Sequence, residues 1–463
     1  MNAPLIWIGF PLVVSGILLL FRRKRVITIY LGSFVCIVLA FLAMVLPIGE
    51  VISFGNLTVQ INPTMTILGR QLIIEPADSA ILTLVYGMTC FWFFGALISR
   101  PSPIFISAGM AMVTFLVAAI AVDPFLFSAL LIEIAILISI PLILRPGFPA
   151  GSGSQRYLVF LTLGMPFILL AGWALGGSGA NLGDPNLVLS ATFLLGLGFA
   201  FLLAVFPFYS WIPLVADEAP PYAAGFLFST LPVMILIILL DFIDGLAIIR
   251  ESNLFFQALE FFGVVMIFTG GIWSAFQKNL ARLTGYAVIM ETGFFLIAIG
   301  MKSESSLEYF AQSIVPRLVA IGLISLAITL VKRKENSLDE KDLQGLFRRM
   351  PFSAGAIITA IFSLAGLPLL AEFSLKLNLL TQVSIQSNAF IPWIYVGILG
   401  MFIAGFRFLA VFIGSPGETL PNLEPRLARV LLVTGVIVLI LIGLFPSYLL
   451  GGQLDLLKTF PTF

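Results

Sequence analysis

The strongest constraint in this sequence is a succession of apolar runs, each long enough to cross a lipid bilayer. A transmembrane helix needs about 20 predominantly apolar residues. Only 10% of the residues are charged, whereas soluble domains have about 25%. The sequence therefore predicts an all-α polytopic membrane protein with about 14 transmembrane helices. The apolar runs lie at 4–21, 28–48, 79–98, 103–122, 124–144, 156–176, 190–212, 221–240, 254–277, 282–301, 308–332, 353–387, 390–413 and 427–448.

Helix-breaking residues interrupt the apolar sequence in two places. The interruption at 206–221 contains four prolines, and the one at 364–373 contains Gly366 and Pro368. Proline lacks a backbone N–H, and the hydrocarbon tolerates broken backbone only where it packs in protein or lines a wet cavity. Acidic residues stand beside both interruptions, as at the ion sites of many transporters. The similar helix breaks, with acidic residues beside them, in the two halves of the chain predict a repeated architecture.

The distribution of basic residues predicts the orientation in the membrane. Arginines and one lysine at 22–25 follow the first run, and further basic residues lie in the polar stretch 333–350. The positive-inside rule puts both segments on the cytoplasmic side. With fourteen spans, the N-terminus and the C-terminus both lie on the outer side of the cell membrane, which is the plasma or inner membrane. The stretch 333–350 is predicted to be an amphipathic cytoplasmic loop, and the Gly-rich loop at 176–186 an external one.

The chain divides into three predicted parts. Residues 1–78 comprise two helices and an external β-hairpin, since residues 50–78 alternate apolar and polar side chains around Gly55-Asn56 and Gly69-Arg70. Residues 79–450 form the transmembrane domain, and 451–463 form a tail.

Several classes of function are disfavoured by what the sequence lacks. The chain contains no histidine, which argues against haem ligation, most metal sites and the commonest proton shuttle. It has no GxGxxG or P-loop pattern and no basic patch, so neither a nucleotide site nor nucleic-acid binding is expected. We expect no cofactor in this chain and no covalent chemistry of its own, so any redox reaction belongs to another subunit.

Four segments together resemble one family. The first, FPFYSWIPLVADEAPP at 206–221, resembles the FPFHTWLPDAHVEAPT-type signature of the antiporter-like subunits of respiratory complex I (NADH-quinone oxidoreductase chains L, M and N), Mrp antiporters and membrane-bound hydrogenases. The segment QKNLARLTGYAVIMETGF at 277–294 is similar to that family's QTDIKRLLAYSSISHMGF. The run at 345–377 is similar to its GL..RMP…SLAGLPP..GF..KF pattern, and DPFLFSALLIEI at 123–134 completes the set.

The resemblance implies a fold of fourteen helices with two inverted five-helix repeats, each holding a broken helix and a proton half-channel. It also implies partner subunits in a complex I-like, hydrogenase-like or Mrp assembly embedded in the lipid bilayer. The favoured function is a proton-translocating subunit of a NADH- or ferredoxin:quinone oxidoreductase or a hydrogenase complex. Two alternatives stay open: a divergent, non-pumping structural subunit, and an Mrp-type subunit that exchanges Na+ for protons.

Buried ionisable residues are the candidates for proton relay, since a charge in the bilayer centre costs about 2.5–3.5 kcal/mol or more. Glu133 lies mid-run and matches the family's buried glutamate. Its alternative role is a glutamate satisfied by a neighbouring hydroxyl or a helix end. Val233 stands where the family has the partner lysine of that glutamate.

Three further candidates lie in the C-terminal half. Glu291 occupies the position of a family histidine and could exchange a proton or merely pack beside a cavity. Arg317 matches a family lysine, with Ser313 in place of a histidine. Arginine does not release its proton, so a structural ion pair is the favoured role for Arg317. Lys376 falls on the ionisable position of the family's broken helix.

Acidic residues beside the two breaks complete the set. Glu372 precedes Lys376 by four residues, so the two side chains share a helix face and can pair. The pair could take part in proton relay or form a structural salt bridge at the helix break. Asp217 and Glu218 could gather protons at a channel mouth or cap the helix at 221–240. Capping is the favoured role for Glu218.

Overall fold

The computed structural model describes residues 2–54, 57–67, 69–145, 147, 149–176, 185–335, 337–414 and 424–460, and these are mostly helical. A π-helical turn, Leu5–Gly9, runs into the first α-helix. The α-helices are α1 (Phe10–Leu20), α2 (Arg25–Val45), α3 (Ser79–Ser99), α4 (Phe105–Ala121), α5 (Ser128–Ile143), α6 (Ser152–Gly176), α7 (Pro185–Leu202), α8 (Trp211–Glu218), α9 (Pro221–Gly245), α10 (Ala247–Arg250), α11 (Asn253–Phe276), α12 (Leu280–Gly300), α13 (Glu304–Lys332), α14 (Leu346–Arg349), α15 (Pro351–Ala365), α16 (Phe373–Gln386), α17 (Ile391–Ile413), α18 (Arg426–Leu444) and α19 (Pro446–Leu450).

Each predicted apolar run overlaps at least one helix, and the runs 190–212 and 353–387 also contain helix breaks. Ten helices there are long and apolar enough to cross a membrane, and four shorter apolar helices bring the number to fourteen. Two of the shorter ones, Leu189–Leu202 and Pro351–Ala365, end where the chain is broken. The predicted polytopic architecture is therefore confirmed.

The second predicted break lies where the sequence places it. Helix α15 ends at Ala365, and α16 begins at Phe373. Gly366 adopts a left-handed conformation with φ +80°, which glycine tolerates without a steric cost, and Leu369 has φ +74°. These residues turn the chain out of one half-helix and into the next.

The first break differs from the prediction, which treats 206–221 as one interruption. Helix α7 ends earlier, at Leu202, and the short helix α8 occupies Trp211–Glu218. Two joints therefore flank α8, one at 203–210 and one at 219–220. Pro213 falls in the first turn of α8 and Pro221 is the first residue of α9, where the missing N–H has no intrahelical partner to lose.

Two successive sets of helices pack in the same order. In the first set α4 packs on α5, α5 on α6, and α6 on both halves of the broken helix, α7 and α8. In the second set α11 packs on α12, α12 on α13, and α13 on both α15 and α16. Each set is completed by one more helix, α9 or α17. Because five crossings is an odd number, the second set starts on the opposite membrane face from the first, which makes the repeats inverted.

The centre of the bundle lies where the two sets meet. Helices α9, α12 and α13 are almost wholly buried, and α9 and α12 both pack against α13. Helices α2, α6 and α18 lie at the periphery with much of their apolar surface exposed. Glu291 on α12 and Arg317 on α13, each 1% exposed, are therefore remote from the lipid-facing surface.

The polar connections contain small strands. The sequence predicts one hairpin between 50 and 78, and the structure has two, β1 (Val51–Phe54) with β2 (Leu57–Gln60) and β3 (Thr64–Ile67) with β4 (Arg70–Ile73). A short β5 (Val122–Asp123) pairs with β4. The predicted Gly55-Asn56 turn and residues 177–184 of the predicted Gly-rich loop lie outside the described residues.

The stretch 333–350 is amphipathic, as predicted. Leu338, Leu343 and Leu346 are buried, whereas Glu340 forms an ion pair with Arg407 of α17 at 2.5 Å. Arg407 also donates hydrogen bonds to backbone carbonyls at the C-terminal end of α11. These contacts hold the stretch against the ends of α11 and α17.

Candidate functional site

A buried cluster of charged side chains surrounds Lys376, one turn after the second break. The Lys376 Nζ atom lies 2.5 Å from Glu291 Oε1 and 2.9 Å from Glu372 Oε2. The three residues are 2%, 1% and 0% exposed. A buried charge is costly unless it is paired, so the shared ammonium stabilises both carboxylates. The predicted Glu372–Lys376 pair is present, and Glu291 joins it from α12.

The break in the helix brings this ammonium to its position. Glu372 is the N-cap residue of α16, and Lys376 follows one turn later on the same face. The Lys376 Nζ atom also donates a hydrogen bond to the carbonyl of Leu364, in the last turn of α15. The last carbonyls of a helix have no intrahelical partner and carry partial negative charge. The half-helix end is thus a third negative group around Lys376.

Arg317 of α13 lies beside the cluster, but its contacts differ from the predicted ion pair. Its guanidinium donates to the Phe228 carbonyl and to Thr292 Oγ1, each at 3.3 Å, and lies 4.8 Å from the centroid of the Phe295 ring. Among the described residues no carboxylate lies within 4 Å, and Nε and Nη1 have no hydrogen-bond partner. Glu291 and Glu372 still act on it electrostatically.

Ser313, one turn before Arg317, bonds within its own helix. Its hydroxyl donates to the Phe310 carbonyl at 3.3 Å, and it is fully buried. The serine that replaces a family histidine is therefore not joined to the charged cluster by a hydrogen bond to any of its carboxylates.

A polar cavity of about 230 Å³ extends to Leu375, the residue before Lys376. It lies between the N-terminal part of α13 and residues 375–382 of α16. This end of α13 is on the side of the membrane predicted to be external. Tyr309 belongs both to this cavity and to the electrostatic surroundings of Glu291 and Glu372. The cavity is lined by Ser305, Glu308, Tyr309, Gln312, Leu375, Asn378, Thr381 and Gln382.

Glu133, the candidate in the N-terminal repeat, has no charged partner among the described residues. One carboxylate oxygen accepts a hydrogen bond from Thr162 Oγ1 at 2.9 Å. The other is buried and has no hydrogen-bond partner among the residues that the structure describes. Val233, in place of the family lysine, is 1% exposed within α9. The contacts of Glu133 are those of its alternative role, a glutamate satisfied by a neighbouring hydroxyl.

Asp217 and Glu218 lie at the C-terminal end of α8 and hold helix ends together. The Asp217 carboxylate forms an ion pair with Arg282 at 3.0 Å. The prediction that Glu218 caps the helix at 221–240 is wrong, since that helix has no side-chain cap. Glu218 instead accepts from the Gly153 N–H at 2.8 Å and the Ser152 hydroxyl at 3.1 Å, in the first turn of α6. Negative charge is favourable at that end of a helix.

Three polar residues of the bundle are not identified by the sequence patterns. Thr162 on α6 and Tyr309 on α13 belong to no sequence motif, and only their tertiary contacts reveal them. Glu260 of α11 is 7% exposed, with its oxygens 3.5 Å from Gln386 Nε2 and Ser387 Oγ. A charge inside the predicted run 254–277 is the one signal that could have found it. Within the described ranges, no group of three His, Cys, Asp or Glu side chains could hold a metal ion.

Comparison with known proteins agrees with this geometry. Residues 177–404 match a family model described as NADH:quinone oxidoreductase/Mrp antiporter, TM. NADH-quinone oxidoreductase subunit N of Moorella thermoacetica is 30% identical over 311 residues, which is 65% of this chain. The chain spans 63% of the length of that relative.

Solved structures share the whole fold. A chain of the Mrp complex from Dietzia sp. DQ12-45-1b superposes with a TM-score of 0.79 at 15% identity, covering 99% of this chain and 98% of that one. A chain of respiratory complex I from Thermus thermophilus gives 0.72 at 18% identity with the same coverage. The predicted resemblance is therefore confirmed: residues 177–404 match the family model of NADH:quinone oxidoreductase and Mrp antiporter membrane subunits, and the chain as a whole has the fold of the solved Mrp and complex I chains.

Proposed function

We propose that this chain is a proton-conducting subunit of a membrane assembly related to complex I, Mrp or a hydrogenase, and that its C-terminal repeat carries the protons. The observation that supports this most is one lysine shared by two buried carboxylates beside a broken helix. Proton transfer needs donor and acceptor within hydrogen-bond distance, at most about 3.2 Å, or joined by one water. Lys376 meets that condition with both Glu291 and Glu372.

The charges of the cluster give it a place for one mobile proton. Two ionised carboxylates and one ammonium leave a net charge of −1, and an arriving proton makes the trio neutral. Arg317 keeps its charge at any physiological pH, so it cannot pass a proton on. Its fixed positive charge instead favours the ionised form of Glu291 and Glu372 and helps a bound proton to leave.

The polar cavity next to Tyr309 is the route that we propose from the cluster to the external side. Its hydroxyl, amide and carboxylate groups can hydrogen-bond water, and a wet cavity can carry protons between titratable groups. Tyr309 lines the cavity, and its buried hydroxyl has no hydrogen-bond partner among the described residues, so this hydroxyl or a water bound to it can complete the path.

The contacts of Glu133 in the N-terminal repeat support the alternative function, a structural role, for that half of the chain. Glu133 is bonded to a threonine, and Val233 removes the lysine that would receive a proton from it. We infer that this half does not conduct. A chain in which neither half conducts would be a structural subunit of the same membrane arm, and a chain whose proton flux needs Na+ would be an Mrp-type antiporter subunit.

Membrane subunits of a larger complex are the partners that we propose, with the cofactors and the redox chemistry in those partners. We place the protein in the plasma or inner membrane with both termini outside. Protons are the expected ion and Na+ the alternative.

Proton uptake into vesicles tests the proposal. The complex, purified with its natural partners, is reconstituted, and a potassium diffusion potential drives protons inward past a pH-sensitive dye. We expect Lys376→Met to lose most of the uptake, and Lys341→Met, which removes an exposed lysine in the stretch 333–350, to retain it. Equal uptake by Lys376→Met and the native complex would leave the structural role. Uptake that stops when Na+ is replaced by choline would favour the antiporter.

A further inference from the structure

An apolar cavity of about 880 Å³ lies beside the first break. Unlike the charged cluster, it has no charged side chain among its described lining residues. It is bounded by α7, by the broken segment at 203–208, and by residues of α9, α11 and α12. Its walls are aromatic and aliphatic, with Phe199, Phe208 and Phe255 among them. One side opens to the surface of the bundle, where Leu189, Phe193 and Leu254 are 55%, 67% and 62% exposed.

One polar group in this wall lacks a hydrogen-bond partner among the described residues. Thr192 lines the cavity and is 8% exposed, and its hydroxyl has no hydrogen-bond partner among the described residues. Buried hydroxyls in proteins are normally hydrogen-bonded. Gly196 lies one turn further along α7, where an added Cβ would first meet the Phe255 ring, at 3.6 Å. Gly196 of α7 and Phe255 therefore lie next to each other in the cavity wall.

We propose that this cavity is a binding site for an acyl chain of a membrane phospholipid. Its walls come from helices within the membrane-spanning part, and its mouth opens between their lipid-facing side chains. A methylene group takes about the volume of a water molecule, ~30 Å³. The cavity therefore accommodates about thirty methylenes, which is between one and two chains of about 16–18 carbons.

Other occupants fit less well. A transmembrane helix of about 20 residues with a diameter of about 10 Å fills more than about 2,000 Å³, well above the cavity volume. Water gains nothing from walls that offer it so few hydrogen-bonding groups, since a buried water needs about 2–4 polar partners. An ester oxygen of a phospholipid is an acceptor that the Thr192 hydroxyl lacks among the described residues.

The site also explains how the first break is tolerated. Irregular backbone in the hydrocarbon must be packed or must line a wet cavity. The second break has the charged cluster and the polar cavity nearby, whereas the first has no ionisable side chain among its cavity-lining residues. A bound acyl chain packs the segment 203–208 in hydrocarbon. This inference does not depend on proton conduction, so either can fail without the other.

Photolabelling tests the proposal on the full chain. The protein is reconstituted in vesicles of phosphatidylethanolamine and phosphatidylglycerol containing a trace of phosphatidylethanolamine with a diazirine in one acyl chain. After irradiation, labelled peptides are mapped by mass spectrometry. We expect strong labelling of 189–208 and 254–262. Gly196→Phe and Ala258→Phe, which place a ring in the cavity, should each reduce that labelling several-fold.

Gly355→Phe is the matched control, because an added Cβ there meets nothing within 4 Å and α15 lies outside the cavity. It should leave labelling of both segments unchanged. Labelling that persists in both filling variants would overturn the proposal, as would displacement of the label by ubiquinone but not by unlabelled phospholipid. If the filling variants fail to fold, native mass spectrometry of the unmodified protein still decides, since the proposal requires a phospholipid that stays bound after detergent exchange.

Discussion

Removal of the Lys376 ammonium tests the energetics of the charged cluster. Lys376→Met keeps an unbranched side chain of similar length but leaves two carboxylates, 1% and 0% exposed, without the cation that they share. Removing one partner of a buried ion pair typically costs about 3–5 kcal/mol. Protonation of one carboxylate can offset part of that cost, so we expect the lower half of this range.

The triple variant Glu291→Gln, Glu372→Gln and Lys376→Met separates charge from packing. Replacing a whole buried ionic group by neutral groups of similar volume is often neutral or stabilising. We therefore expect the triple variant to be more stable than Lys376→Met alone, even though it carries two more substitutions. Such an ordering has no explanation if Lys376 contributes only apolar packing.

A thermal melt measures both variants. An unfolding entropy of about 2.1 cal/mol/K per residue, taken over the 463 residues, gives about 1 kcal/mol/K, so a loss of about 3 kcal/mol lowers Tm by about 3 °C. A thiol-reactive fluorophore reports the exposure of the free and buried Cys36 on unfolding. A Lys376→Met melt equal to that of the native protein, or a triple variant that melts below Lys376→Met, would refute the reasoning.

Two further predictions concern helix packing away from the cluster. Gly271→Ala should prevent folded expression, because the new Cβ would lie 1.9 Å from the Gly397 carbonyl oxygen. Gly355→Ala should fold normally, because its new Cβ meets nothing within 4 Å. Size-exclusion profiles in detergent compare the two variants, and a monodisperse Gly271→Ala profile would show that α11 and α17 can separate. Glu218→Ala should lower the free energy of unfolding by about 0.5–2 kcal/mol, the usual cost of a lost helix cap, because the Gly153 N–H loses its acceptor. A thermal melt measures this loss, with Glu218→Gln as the matched variant. Unchanged melting of the alanine variant would contradict the capping role of Glu218 at the start of α6.

Local chemistry made part of the structure predictable. The apolar runs define the helices because a lipid-exposed backbone must satisfy its hydrogen bonds internally. Gly366 and Pro368 mark the second break, and Glu372 pairs with Lys376 because four residues make one helical turn. Each of these follows from residues close together in the chain.

Long-range contacts were not predictable in the same way. Glu291 reaches Lys376 from a different helix, 85 residues earlier, and no spacing rule fixes that distance. Glu218 is adjacent in sequence to one helix start but caps another, since α8 carries it to the beginning of α6. Arg317 carries a charge that suggests an ion pair, yet its position on α13 puts a carbonyl, a hydroxyl and a ring around it.

The most direct test of the account compares the two equivalent glutamates. Glu133 and Glu291 lie on the second helix of their respective repeats, one bonded to a threonine and the other to Lys376. Potential-driven proton uptake is measured in vesicles holding the native complex, Glu133→Gln or Glu291→Gln, with assembly checked for each. We expect Glu291→Gln to lose most of the uptake and Glu133→Gln to keep it. Loss of uptake in Glu133→Gln with full uptake in Glu291→Gln would contradict this expectation.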